Sequence, residues 1–214
     1  MHIDFIFDTL CPWSFIAERH LGAVLHKYPH IPFDITLNPV PLSSTLLFSE
    51  KPAIQSVVLI NRIRQVREKL APVAETAGIE IDFDALPAVT DVSLSYLFIR
   101  SAEKIRCAWE AMDAVFRSFF CEGRDIGDPE VLCDISESVG TTRKTPDNIA
   151  VNVFLPSKDV EPPFLPDGSF FSTPTLVFDK KLMMTGAVPP KIVEKMVETA
   201  FSLENEELND QNNQ

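Results

Sequence analysis

Glycine is scarce in this chain, seven in 214 residues, and those present form no G-x-G-x-x-G or G-x-x-x-x-G-K-[ST] pattern. The simplest backbone cradles for dinucleotides and nucleotide phosphates are therefore excluded. Basic residues are short as well: 19 Lys and Arg stand against 31 Asp and Glu, a net charge of −12. Such a balance lacks the electrostatic footprint for nucleic acid or an anionic membrane as partner. No apolar run approaches the roughly 18–20 residues of a membrane span. The opening MHIDFIFD has no basic leader, no long apolar stretch and no small-residue cleavage site. For a chain starting at Met1 a cytoplasmic location is expected; a mature secreted chain with an added Met is the alternative.

Cysteine is present but not as a framework. Cys11, Cys107, Cys121 and Cys133 never fall within five residues of one another, so neither zinc spacing nor a disulfide pattern is visible. Cys107 and Cys121 read as parts of one helix, where fourteen residues separate them by roughly 21 Å, three times the reach of a disulfide. A reducing compartment fits. His2, His20, His26 and His30 show no metal spacing and read as surface residues; no metal is expected.

What the chain does have is 17 Pro and 16 Phe. Ile3–Phe7 is apolar at both parities and reads as a strand buried on both faces. After Asp8-Thr9-Leu10-Cys11, Pro12 suits a first helical position, and Phe15, Ile16, Leu21, Val24 and Leu25 recur at helical spacing. Pro29 and Pro32 end that helix, and Phe33–Leu37 alternates as a second strand. Residues 1–40 are thus a βαβ unit opening a parallel sheet. Residues 41–165 read as a helical insertion. Its helices are expected over Ile54–Ala77 with Gly78 as stop, over Asp91–Phe120 as two helices or one bent one, and from Asp128-Pro129-Glu130 to Gly140. Val151–Pro166, rich in proline, reads as a long loop. Residues 166–203 return to strand character: Thr175–Phe178, a tight turn at Asp179-Lys180, Lys181–Met184, then an amphipathic helix over Lys191–Phe201. Residues 204–214, with four acids and no base, are expected to fray.

The sharpest chemical feature is Cys11-Pro12-Trp13-Ser14 at the strand-to-helix junction. A thiol there meets the unpaired N–H groups and positive end of a helix, which favour the nucleophilic thiolate and lower its pKa. A small buried hydrophobe is the plain alternative for a free cysteine; its place directly after a buried strand and before Pro12 favours reactivity. Ser172-Thr173-Pro174-Thr175 opens the late hairpin, and a proline there is either a strand-entry residue or a cis peptide. Asp4 and Asp8 flank the first strand. An acid near Cys11 can accept a proton, and solvated capping is the simpler reading. The other three cysteines read as core filling.

These segments resemble the thioredoxin superfamily, within it the DsbA-like family that includes FrnE-type oxidoreductases and 2-hydroxychromene-2-carboxylate isomerases. The resemblance runs from about Ile3 to Phe201. It is carried by Phe5–Trp13, Pro32-Phe33 with Leu37-Asn38-Pro39, Phe120–Ile126 with Asp128-Pro129 and Leu132, Thr173-Pro174-Thr175 and Thr185-Gly186-Ala187. It implies an α/β thioredoxin fold whose βαβ and ββα halves are split by a helical insertion. It further implies Cys11 as attacking cysteine, Pro174 as a cis-proline facing it, Thr173 as a backbone partner for an extended peptide or glutathione, Pro12 and Trp13 as further substrate- or glutathione-binding residues, and Trp13 as the residue that tunes and shields the thiol. Redox members carry a second cysteine where this chain has Ser14. A hydroxyl cannot resolve a mixed disulfide, whereas kappa-class glutathione transferases and the chromene carboxylate isomerases use a hydroxyl to hold the glutathione thiolate. The family's frequent glycines before Thr173 and in the hairpin turn are here Ser172 and Asp179-Lys180, so one non-glycine residue is expected at positive φ.

Three functions follow as expectations. The first is an enzyme of monothiol disulfide exchange on protein or glutathione disulfides, with glutathione as co-substrate rather than a tightly bound cofactor. The second is a glutathione-dependent isomerase or transferase. The third is a thioredoxin-fold binding module with Cys11 silent. The phenylalanines would suit an apolar pocket or a homodimer face.

Overall fold

The computed structural model describes residues 1–40, 52–88, 92–103, 107–140 and 172–212. The loop expected at Val151–Pro166 lies outside them.

Strand β1 (His2–Phe7) occupies an inner position in a four-stranded sheet of order β2-β1-β3-β4. Its apolar residues at both parities have that cause: Ile3, Phe5, Ile6 and Phe7 are all buried. Helix α1 (Pro12–Leu25) crosses over to β2 (Asp34–Pro39), which pairs with β1 in parallel, Phe5 opposite Leu37. The βαβ reading holds, with small shifts in the strand bounds. β2 is an edge strand, so Pro39, which has no N–H to donate, is tolerated at its end.

Between β2 and β3 every regular element among the described residues is a helix: α2 (Pro52–Gln65), α3 (Arg67–Thr76), α4 (Ser93–Glu103), α5 (Ala108–Phe120) and α6 (Pro129–Ser138). The single helix expected over Ile54–Ala77 is two, broken at Val66 (φ −96°, ψ 7°); Pro72 further weakens the second by withholding an N–H. Their apolar residues are only partly covered: Ile60, Ile63 and Leu70 are buried but Val57, Val58 and Val66 are exposed. Asp128 caps α6 as expected, its carboxylate accepting from the Glu130 N–H at 2.9 Å. Cys107 and Cys121 stand at opposite ends of α5, and all four cysteines are free thiols.

The hairpin β3 (Thr175–Phe178) and β4 (Leu182–Thr185) completes the sheet, with β3 antiparallel to β1. Its turn places both Asp179 (φ 47°) and Lys180 (φ 58°) in the left-handed region, one residue more than expected. Asp179 is held there by an exchange with His2: its carboxylate accepts the His2 N–H at 2.6 Å and its N–H donates to the His2 carbonyl at 2.8 Å. Helix α7 runs Pro190–Asn212, past the expected stop at Phe201, because Glu, Leu and Gln favour helix whatever their net charge.

Sheet and helices share one hydrophobic core. Its centre is aromatic: Phe15 of α1 stacks on Phe116 of α5 at 5.2 Å and lies 6.0 Å from Phe120, while Phe7 of β1 approaches Phe116 at 5.8 Å. Just after α5 the chain requires a glycine: at Gly123, φ 64°, a Cβ would sit 2.7 Å from the Ala85 carbonyl oxygen. The aromatic contacts lock α5 against α1, the helix that carries Cys11 at its start.

Candidate active site

The junction between β1 and α1 is built by short-range hydrogen bonds. The Asp8 carboxylate accepts the Leu10 N–H at 2.7 Å, and the Asp8 carbonyl accepts the Cys11 N–H at 3.0 Å. This Asx turn points the chain into the helix. Cys11 then occupies the N-cap with extended backbone (φ −94°, ψ 110°), its carbonyl accepting from the Ser14 N–H at 2.9 Å, and Pro12 follows at the first helical position.

Cys11 is buried, 3% exposed. Its Sγ lies 3.8 Å from the Thr173 carbonyl oxygen, to which the thiol donates. The Thr173–Pro174 peptide is cis. The fold thus brings Cys11, Ser14, Thr173 and Pro174 together from opposite ends of the chain, with Pro12 buried beside them and Trp13 half-buried. Ser14 is fully buried, and its Oγ accepts the Asp8 N–H at 3.3 Å. With a lone pair so occupied, the Ser14 hydroxyl proton is free to turn toward sulfur.

The low thiol pKa expected from the helix start is not what this geometry produces. Burial pushes the Cys11 thiol up from its ordinary value, and the nearby Asp8 carboxylate pushes the same way; the Ser14 side chain, the Ser14 N–H and the Thr173 side chain pull back without winning. Asp8 is itself a second correction. It caps as expected, but fully buried rather than solvated. His20 is a third: expected at the surface, it is 7% exposed, with Nδ1 2.7 Å from the Val188 carbonyl oxygen just ahead of α7.

Two further features escape a reading of the sequence. Ser95 and Tyr96 of α4 reach the same buried turn, Ser95 Oγ lying 3.1 Å from Thr9 Oγ1. Glu18, about two helical turns below Cys11, is buried between α1 and α5, where desolvation lifts its carboxyl to about 8 against the opposing pull of Arg19. Neither carries a signal, because an acid on a helix reads as solvent-facing and Tyr96 is distant in sequence.

Among the described residues no cluster of His, Cys, Asp or Glu is arranged to hold a metal, and no helix is long and apolar enough to cross a membrane. A cleft of about 760 Å³ lies away from Cys11, between Phe15, Arg19, Arg67, Arg117, Cys121 and residues 77–83. Its three arginines are matched by Glu80, Asp82 and the Arg19-bound Asp113, so charge selects no ligand there.

Comparison with known proteins supplies the family. A curated relative, the uncharacterized protein YwbO of Bacillus subtilis (strain 168), is 23% identical over 144 residues, 65% of this chain. The match spans 66% of that protein, just under two thirds of its length. Among solved structures, a probable DsbA oxidoreductase (SCO1869) from Streptomyces coelicolor superposes with a TM-score of 0.72 at 15% identity, covering 94% of this chain and 90% of that one. The cytosolic disulfide reductase DsbM from Pseudomonas aeruginosa gives 0.66 at 16%, covering 95% and 100%, and 0.58 in its structure with GSH. A 2-hydroxychromene-2-carboxylate isomerase gives 0.59 at 16%, covering 99% of both chains. At such identities the superpositions speak for the fold. The family model of the DSBA-like thioredoxin domain matches residues 2–152, and the chain belongs to that family.

Proposed function

We propose that the protein is a monothiol disulfide-exchange enzyme in which Cys11 is the nucleophile. The observation that carries this reading is the placement of Cys11 Sγ at the start of α1, 3.8 Å from the carbonyl of Thr173 and beside a buried serine in place of a second cysteine. Once ionised, the Cys11 thiolate attacks one sulfur of a disulfide. The S–S bond breaks, one half leaves as thiolate, and the other stays as a mixed disulfide on Cys11. Ser14 has no sulfur to displace it, so an external low-molecular-weight thiol attacks and regenerates Cys11. Glutathione is the natural candidate for this co-substrate, a reading supported by the same-fold reductase DsbM having been solved with GSH. Ser14 Oγ–H and the Ser14 N–H would donate to the thiolate, and Thr173 and Pro174 would flank the incoming disulfide with Pro12 and Trp13 at its edge. Four free thiols are in keeping with a reducing cytoplasm as the working compartment.

The test is turnover of a glutathionylated peptide by reduced glutathione. Cys11→Ser should fall to the uncatalysed rate and Ser14→Ala should keep measurable turnover. Equal activity of Cys11→Ser and the unsubstituted protein would end this reading.

A glutathione-dependent isomerase is the second reading, favoured by one observation: the Ser14 hydroxyl oxygen is held by the Asp8 N–H, which leaves its proton available to the sulfur of a bound thiol. Saturable glutathione binding with no covalent adduct and no exchange would select it. Absence of both binding and exchange would leave a binding module.

A further inference from the structure

Thr9 and Leu10 are the central residues of the turn closed by the Cys11 N–H bond to the Asp8 carbonyl, so the placement of Thr9 sets the path by which the chain arrives at Cys11. The Asp8 bonds to Leu10 and Ser14 run within this turn or into the first turn of α1. Another bond reaches a different element: Thr9 Oγ1 lies 3.1 Å from the Oγ of Ser95, 86 residues away in the first turn of α4. Ser95 Oγ already gives its only proton to the Val92 carbonyl at 2.7 Å, so the Thr9 hydroxyl is the donor and Ser95 the acceptor. Both side chains are fully buried. Neither hydroxyl can turn to water there, and a valine and an alanine would fill the two positions with no polar group to satisfy. Packing alone does not account for the pair. Helix α4 is itself fixed by its packing on α5, which the Phe15–Phe116 stack holds against α1.

We propose that Ser95 is a positioning residue for Cys11: by accepting the Thr9 hydroxyl proton it holds the turn that carries the thiol in its buried place beside Ser14 and Thr173. The proposal rests on Cys11 being the nucleophile and adds what keeps that nucleophile aligned. Cys11 is 3% exposed, with Sγ 3.8 Å from the Thr173 carbonyl oxygen. Without Ser95 Oγ the Thr9 hydroxyl stays buried with its acceptor gone, and the closed turn loses stability against one that swings the hydroxyl toward water. A turn that swings outward carries Cys11 with it. The sulfur is then easier to reach and, freed of the burial that opposes its charge, easier to ionise, but it loses its alignment with Ser14 and Thr173. Two reactions of the one thiol therefore move in opposite directions. A small alkylating reagent needs access alone, whereas disulfide exchange needs the attacking sulfur in line with the bond it breaks.

The experiment is the rate of iodoacetamide alkylation at Cys11 and at Cys133, read by peptide mapping, for the unsubstituted protein, Ser95→Ala, Thr9→Val, Thr9→Ser and the double variant Thr9→Val with Ser95→Ala. Cys133, fully buried on α6, reports general loosening of the fold. Ser95→Ala and Thr9→Val should each quicken Cys11 by about three- to tenfold, the loss of one net hydrogen bond, and leave Cys133 within about twofold. The double variant should exceed the faster single one by less than about twofold, since both remove the same bond. Thr9→Ser keeps the donor and should react like the unsubstituted protein. A role in packing alone predicts the reverse order, with valine tolerated for its shape and serine not. An unmoved Cys11 rate, equal quickening at Cys133, or a tolerated Thr9→Val overturns the proposal. Turnover of a glutathionylated peptide should fall several-fold in Ser95→Ala, through kcat rather than KM, and turnover that rises along with alkylation overturns it too. If the unsubstituted protein gives no turnover, the nucleophile reading fails, while the alkylation comparison still decides the Thr9–Ser95 link.

Discussion

The Asp8 N–H donates to Ser14 Oγ across 3.3 Å inside a fully buried turn. That bond ties the residue after β1 to the first turn of α1 and, because the serine oxygen only accepts in it, leaves the hydroxyl proton free to donate to sulfur. Ser14→Ala removes a donor to the thiolate as well as a partner for the Asp8 amide. A hydrogen bond to a charged group is worth about 1.5–3 kcal/mol. The Cys11 pKa in Ser14→Ala should therefore rise by roughly one unit or more, read from the pH dependence of alkylation.

Ser14→Cys should change the chemistry rather than tune it. The new thiol stands at the position from which a mixed disulfide is resolved, so titration with oxidised glutathione should yield an intramolecular disulfide and free glutathione. The unsubstituted protein should stop at the adduct. Mass spectrometry under non-reducing conditions distinguishes the two, and an identical adduct in both would show that residue 14 does not reach Cys11.

Asp8→Asn should make Cys11 more reactive at neutral pH. The Asp8 charge is the second cause, after burial, of the raised thiol pKa, and asparagine keeps an oxygen for the Leu10 N–H at the 2.7 Å contact. Alkylation near neutral pH should quicken several-fold. A slower reaction would mean that the carboxylate works as a proton acceptor instead.

The junction of β1, Cys11 and α1 is legible because a strand apolar at both parities, a cysteine and a proline follow one another directly. The Thr173-Pro174 approach is legible only through the family resemblance, since nothing local in Ser172–Thr175 says what it will face. What the sequence does not show is inward orientation. Asp8 reads as a solvated cap, but its carboxylate turns back to Leu10 within a buried turn that Ser95 of α4, far along the chain, meets at Thr9. His20 reads as surface until the segment ahead of α7 brings the Val188 carbonyl to its Nδ1. The thiol acidity departs from expectation for the same reason: a helix start favours thiolate, but burial and an enclosed carboxylate oppose it.

Glu18 makes stability fall with rising pH. Its carboxyl is lifted to about 8 in the folded protein from 4.5 when free, so the neutral form is the one the fold accepts. Its contribution is fully present below pH 4.5 and is lost progressively as pH climbs through about 8. Asp113 and Trp109 on α5 and Arg19 on α1 face it; Asp113 raises it further, while Arg19 and the Trp109 N–H lower it. Glu18→Gln is neutral throughout. It should melt close to the unsubstituted protein at about pH 5 and well above it at about pH 9, and equal melting at the higher pH would contradict the buried-acid account.

Gly123→Ala should be among the most damaging small substitutions, because positive φ and the Ala85 backbone both exclude a Cβ. Left-handed strain of about 1–2 kcal/mol adds to an overpacking cost of about 1–3 kcal/mol. Urea unfolding should show a midpoint shift of that size, where Gly140→Ala, with open space around it, should show strain alone.

The central claim, that Cys11 is a nucleophile resolved from outside, is tested most directly by intact mass and peptide mapping after incubation with oxidised glutathione at mildly alkaline pH. The account predicts one glutathione on Cys11, absent from Cys11→Ser and released by reduced glutathione. Modification confined to Cys107 or Cys121, or no covalent adduct at all, would contradict it.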